Sequence, residues 1–151
     1  MKHRLIAVPV MFVAFVFTLH FAPALGAQAP ADDRAAVRAV VETYLQGLRN
    51  NDVESLKKAF WPDAKLFFVK PDGSLGQLTQ AEWLAGFAKA AGQVAKADFK
   101  IAALEVTNDV ASAKVVETYA TSRYTDYLSL ARFAGKWQIV NKIYTEQKAA
   151  R

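Results

Sequence analysis

The stretch from Tyr124 to Tyr144, YTDYLSLARFAGKWQIVNKIY, constrains this chain more than any other. It reads as two β-strands joined by a tight turn at Ala134-Gly135. The second strand carries Gly-Lys-Trp-x-Ile-Val-Asn-Lys. A helix-rich half and two more strand-like runs precede this hairpin. That order predicts a small cone-shaped α+β domain with a pocket.

The first thirty residues set the compartment and the available chemistry. Lys2, His3 and Arg4 form a basic head, and Leu5 to Phe21 is almost wholly apolar, broken by Pro9, Thr18 and His20. The small residues of APALGAQAPA follow. This three-part layout is that of a secretory signal peptide, with Ala27 its expected last residue. The alternative is a retained membrane anchor, for which the apolar run is at the short limit. Without cysteine there is no lipoprotein anchor. Cleavage leaves one domain, residues 28–151, periplasmic or secreted and free of the membrane.

Both histidines, His3 and His20, and both methionines, Met1 and Met11, belong to the leader. The remaining chain has no His, Met or Cys. It can build no Cys/His zinc site, no Ser-His-Asp or Cys-His nucleophile and no disulfide. No metal or other cofactor is expected. Removing Lys2 and Arg4 leaves 17 basic residues against 14 acidic ones, and only Lys57-Lys58 are adjacent. A nucleic-acid protein clusters its basic residues on one face, so nucleic acid is not an expected partner.

Within the domain, Asp32 can cap a helix running to about Arg49. Val37, Val40, Val41, Tyr44, Leu45 and Leu48 give it one apolar stripe. Asp52 can cap a shorter helix carrying Val53, Leu56 and Phe60, which Pro62 ends. Residues 64–70 form a first strand, Pro71-Asp72-Gly73-Ser74 a turn, and residues 75–78 a short returning strand. Thr79 and Glu82 make a capping box for a helix with Trp83, Leu84 and Phe87. Strands follow at about 98–107, 110–121, 123–133 and 136–147. Helices then pack on one face of a mainly antiparallel sheet.

The helix pair, the FWPDA step, the PDG turn and the GKWQIVNK hairpin resemble the nuclear-transport-factor-2-like superfamily. VASAKVVETY and YTDYLSLARFAGKWQIVNK are similar to its putative lumazine-binding subfamily. The resemblance covers about Asp32 to Gln147. It implies a cavity between a concave sheet and the helices. Its members include isomerases, cyclases, dehydratases and pure binding domains, so it implies no single activity. Relatives often carry His where this chain has Trp61, and chemistry resting on that imidazole is lost.

Strand alternation nominates the cavity residues. Tyr124, Asp126, Leu128 and Leu130 share one face; Trp137, Ile139, Asn141 and Ile143 share another, and both faces are placed toward the core. Asp126 and Asn141 would then fix a ligand's orientation; the other reading of Asp126 is a rim residue bonded to a backbone amide. Tyr44 either aims its hydroxyl into the cavity or is core. Trp61, Phe68, Trp83 and Phe87 are cavity wall or plain core. Glu117, with Tyr119 on its strand, is a second pocket carboxylate or an edge residue facing solvent. Lys142, with Tyr127 and Tyr144, is placed on the outer face, which invites pairing with a second copy as a homodimer. The expected role is binding a small apolar or aromatic molecule. Its rivals are an acid–base enzyme with Asp126 as base and Tyr44 or Tyr119 as oxyanion donor, and a non-catalytic, partner-binding dimer.

The leader yields a direct test. N-terminal sequencing of the exported protein should begin at Gln28; a terminus at Met1 or Lys2 would remove the exported assignment.

Overall fold

A computed structural model describes residues 31–149. The leader assigned to residues 1–27 lies outside these residues. Helix α1 (Ala31–Asn50) carries Asp32 and Asp33 in its first turn and Arg49 in its last, each matching the sign of the helix dipole there. The helix begins at Ala31, so Asp32 lies in its first turn and not at the cap. Val37, Val41, Tyr44, Leu45 and Leu48 are buried, one stripe at helical spacing.

Asn51 takes a left-handed conformation (φ 46°) and ends α1. Asp52 then caps α2 (Val53–Ala59), accepting from the Glu54 and Ser55 amides at 3.0 and 3.3 Å. The two helices touch at Gly47, where an added Cβ would fall 2.6 Å from Leu56 Cδ2. A side chain there would push α2 off α1.

Strand β1 (Phe60–Val69) starts four residues before the expected 64. Phe60 is already extended and pairs with the final strand, and a register break between Phe60 and Lys65 absorbs Pro62. Next come β2 (Leu75–Thr79) and α3 (Gln80–Ala88). The capping box is formed: Thr79 Oγ1 accepts from the Glu82 amide, and the Glu82 carboxylate accepts from the Thr79 amide. The strands β3 (Ala97–Thr107), β4 (Val110–Tyr119), β5 (Ser122–Phe133) and β6 (Lys136–Lys148) complete one six-stranded sheet, ordered β2-β1-β6-β5-β4-β3. Every neighbouring pair is antiparallel except β1–β6. The helices cover one face. Among the described residues, no helix is long and apolar enough to cross a membrane.

The β5–β6 turn uses Ala134 (φ 49°) and Gly135 (φ 73°), both left-handed as a tight hairpin turn requires. Beyond it, Leu130 pairs with Ile139 but Ser129 pairs with Asn141, leaving Val140 as an extra residue in β6. This bulge reverses the alternation of the strand. Trp137 and Ile139 point into the core before it; Lys142 is buried after it. The uninterrupted period-two reading of β6 is therefore corrected. Asn141 lies on the outer face opposite exposed Ser129, and Lys142 points inward.

The outer face presents Tyr127 and Ile143, cross-strand partners that are 51% and 47% exposed. The Lys114 ammonium lies 5.3 Å from the Tyr127 ring centre.

Trp137 packs between α1 and the sheet. Its indole N–H lies 3.5 Å from Asp33 Oδ1, and the Arg132 guanidinium stacks over its ring. Trp137→Ala should cost about 3–5 kcal/mol, as emptying a buried aromatic site does. Denaturant titration measures it, and an unchanged midpoint would mean the side chain carries no core packing.

Candidate functional site

The helix stripe brings Tyr44 down onto the sheet, where it meets side chains from three strands. Asp126 on β5 is fully buried. The Lys142 ammonium on β6 donates to Asp126 Oδ2 at 2.7 Å and to the Tyr44 hydroxyl oxygen at 2.8 Å. The Tyr44 hydroxyl donates to the same Asp126 oxygen. It also lies 3.3 Å from Glu117 Oε1 on β4, whose Oε2 accepts from the Tyr119 hydroxyl at 3.2 Å. The cation is further packed among the rings of Tyr44, Trp83 and Tyr144, 4.8–5.3 Å from their centres.

This cluster forms the wall of a cavity of about 390 Å³. Glu117, Tyr119, Tyr124, Lys142 and Tyr144 line its polar side, and Leu48, Trp83 and Phe87 its apolar side. Asp126 lies beneath this wall and reaches it through Lys142. Its second oxygen, Oδ1, has no hydrogen-bond partner among the described residues.

Burial pushes the Glu117 carboxyl up to about 8. The charge of Asp126 raises Glu117 further, and Lys142 pulls it back. Glu117 is therefore protonated at neutral pH. Burial and the nearby carboxylates also raise Tyr44 and Tyr119, and burial, with Glu146, takes Tyr124 to about 12. The buried network holds one cation, one anion and a neutral acid. Toward the cavity it offers the Lys142 ammonium, the Glu117 carboxyl and tyrosine hydroxyls, while the anion is sealed below. Such a wall suits a ligand bearing acceptor oxygens. A buried ion pair is weak evidence for stability, and several shifted groups in one cavity are the usual sign of function.

Of the residues nominated from sequence, Tyr44, Glu117, Tyr119 and Asp126 meet in this network, and Trp83 and Phe87 line the cavity with ring centres 4.9 Å apart. Asp126 is neither at the rim nor bonded to a backbone amide. Three nominations are corrected. Trp61 is 36% exposed and stands edge-on to Phe133, because Phe60 takes the inward position: its ring packs against Tyr44 and Trp83. Phe68 covers Gly76 on β2, where an added Cβ would come 2.5 Å from its ring. It lines a neighbouring groove, which shares Tyr124 and Tyr144 with the cavity, and its ring packs on Tyr144. Asn141 faces outward. Lys142 and Tyr144, assigned outward from sequence, are the residues that were missed. A lysine inside the apolar run IVNKIY was the available signal, but its direction depended on the bulge.

The Glu117 shift has a pH signature. With a folded value above its unfolded one, the group contributes stability that is fully present below about pH 4.5 and lost as pH rises through about 8. Within that window, stability should fall by up to about 1.4 kcal/mol per pH unit. Glu117→Gln should flatten that slope in denaturant titrations across pH 5–8. Parallel slopes for both proteins would show that Glu117 is ionised in the folded state.

The geometry can be set beside known proteins. The family model described as putative lumazine-binding matches residues 32–145. Aldolase FrzH from Cladobotryum is 27% identical over 112 residues, spanning 72% of this chain and 87% of that protein. Among solved structures, an NTF2-like protein of unknown function from Shewanella baltica superposes with TM-score 0.71 at 24% identity, over 78% of this chain and 96% of the other. One from Silicibacter pomeroyi gives 0.68 at 27%, over 77% and 97%. A ketosteroid isomerase-like protein from Erwinia carotovora gives 0.59 at 17%, over 81% and 100%, a likeness of fold alone. With its helices on a curved six-stranded sheet and a family match across the domain, this chain belongs to the putative lumazine-binding family of the NTF2-like superfamily.

Proposed function

We propose that the cavity binds a small, flat, carbonyl-bearing molecule. The donor-rich wall beside Trp83 and Phe87 carries this reading. A volume of about 390 Å³ falls within the range of small-molecule sites. Aromatic rings offer a stacking surface, and Lys142 and protonated Glu117 offer two charge-assisted or acidic donors to carbonyl oxygens. The family description supports the same chemistry, since lumazine is a pteridinedione with carbonyls on a flat ring.

An acid–base enzyme is the second reading. Glu117 is favoured over Asp126 as its proton-transfer group, because it stands on the cavity wall with a value raised into the working range. The similarity to a protein named an aldolase supports it, aldolases being enzymes that act on carbonyl compounds.

The proposal includes export, supported by the basic head, apolar run and small-residue end of residues 1–27. It also includes a homodimer through the outer face, supported by the exposed Tyr127–Ile143 pair.

Native mass spectrometry with lumazine and with quinoxaline, a fused ring of similar shape without carbonyls, tests the reading. Lumazine should be retained at one per chain, and quinoxaline should not. Equal retention of the two, or of neither, would remove the donor-wall reading. The same spectra should show two chains per particle; a single-chain mass would exclude the dimer.

A further inference from the structure

Lys142 is the one buried lysine among the described residues. Its ammonium stands on the cavity wall with a buried carboxylate at 2.7 Å and a phenol at 2.8 Å. The sealed carboxylate neutralises the buried ammonium, and it also gives the amine a place to leave and recover a proton. Proton transfer from Lys142 to Asp126 along their hydrogen bond turns an ion pair into a neutral amine and a neutral acid. Burial narrows the energy gap between those two forms, because both members of the ion pair are penalised by lost hydration.

We propose that Lys142 condenses covalently with an aldehyde or ketone carbonyl of a ligand to form a Schiff base. The inference rests on the carbonyl-ligand reading above, and goes beyond it by making the bond covalent. The neutral amine lone pair attacks the carbonyl carbon. The carbonyl oxygen takes the Glu117 proton as its π bond breaks, and the added nitrogen returns a proton to Glu117. The carbinolamine then loses its hydroxyl, with that proton, as water, and Asp126 passes the proton it took from Lys142 to Glu117 through the Tyr44 hydroxyl that touches both carboxyls. A C=N bond has formed and a C=O bond has broken. Overall, ammonium and carbonyl give iminium and water, with no oxidant or reductant.

The charge count explains why this wall suits the step. The nitrogen is cationic before and after, so Asp126, once it has passed on its proton, neutralises the iminium as it neutralised the ammonium. The rings of Tyr44, Trp83 and Tyr144 face a cation in both states. The Tyr44 hydroxyl, held by both partners, keeps Asp126 and the nitrogen in register. Protonated Glu117, bonded to the Tyr119 hydroxyl, stands on the same wall as the acid for the departing oxygen.

Reductive trapping tests the bond. The full-length protein is incubated with hydroxyacetone and sodium cyanoborohydride, and modified lysines are mapped by peptide mass spectrometry over time. Lys142 should be labelled before any exposed lysine, and lumazine in excess should slow labelling at Lys142 alone. Lys142→Arg, which keeps the cation beside Asp126, should lose that label and leave the surface pattern unchanged. Mapping on the wild-type chain decides the matter even if this variant folds poorly. If only surface lysines are labelled while lumazine is still retained in the native spectra, Lys142 does not form the Schiff base and the cavity reading stands. If neither label nor retention is seen, both fall.

Discussion

The buried contact of Lys142 with Asp126, under the hydroxyl of Tyr44, is the interaction that organises this molecule. It joins the first helix to the two central strands at a buried point. Each partner is expensive to bury alone, and removing one member of such a pair typically costs about 3–5 kcal/mol. The site can therefore exist only where α1, β5 and β6 are all in place. Its neighbour Glu117 adapts to that charge pair by keeping its proton. Local chemistry follows from the same constraint: the anion is held below, and the donors face outward into the cavity.

Much of this architecture is legible along the chain. Asp52 and the Thr79–Glu82 box announce their helices because capping is local. The Ala134-Gly135 turn announces the last hairpin for the same reason. Alternation on β5 correctly groups Tyr124, Asp126, Leu128 and Leu130. The same rule fails on β6, because Val140 is inserted without any residue type that marks a bulge. One extra residue moves Asn141 out and Lys142 in. Trp61 fails for a related reason. The chain becomes extended at Phe60, earlier than Pro62 suggests, and the aromatic residue that enters the core is the preceding one. Local signals place elements; they do not reveal the phase of a strand whose regularity is broken by its partner.

The fold itself sets few limits on chemistry. Proteins of other kinds share the fold, including a ketosteroid isomerase-like one at 17% identity. What distinguishes this chain is the inventory on the wall. It has no histidine to shuttle protons between Asp32 and Arg151. The titrating work falls to carboxyls, phenols and an amine, whose ordinary values lie far from neutrality. Burial brings one of them, Glu117, close to it. The cavity thus obtains a near-neutral acid from its own depth.

The parallel pairing of β1 with β6 has a consequence for the order of assembly. Phe60 and Ile139 are neighbours in the sheet although most of the domain lies between them in sequence. Loop-closure entropy opposes so distant a contact until the intervening strands have shortened the effective loop. The helices, the β1–β2 pair and the β3–β4–β5–β6 meander are all built from local contacts, and Lys142 meets Asp126 within the last hairpin. What is distant in sequence is the union of the two halves, where β1 joins β6 and Tyr44 of α1 meets Lys142 and Asp126. The network is thus complete only when the helical half has docked on the meander.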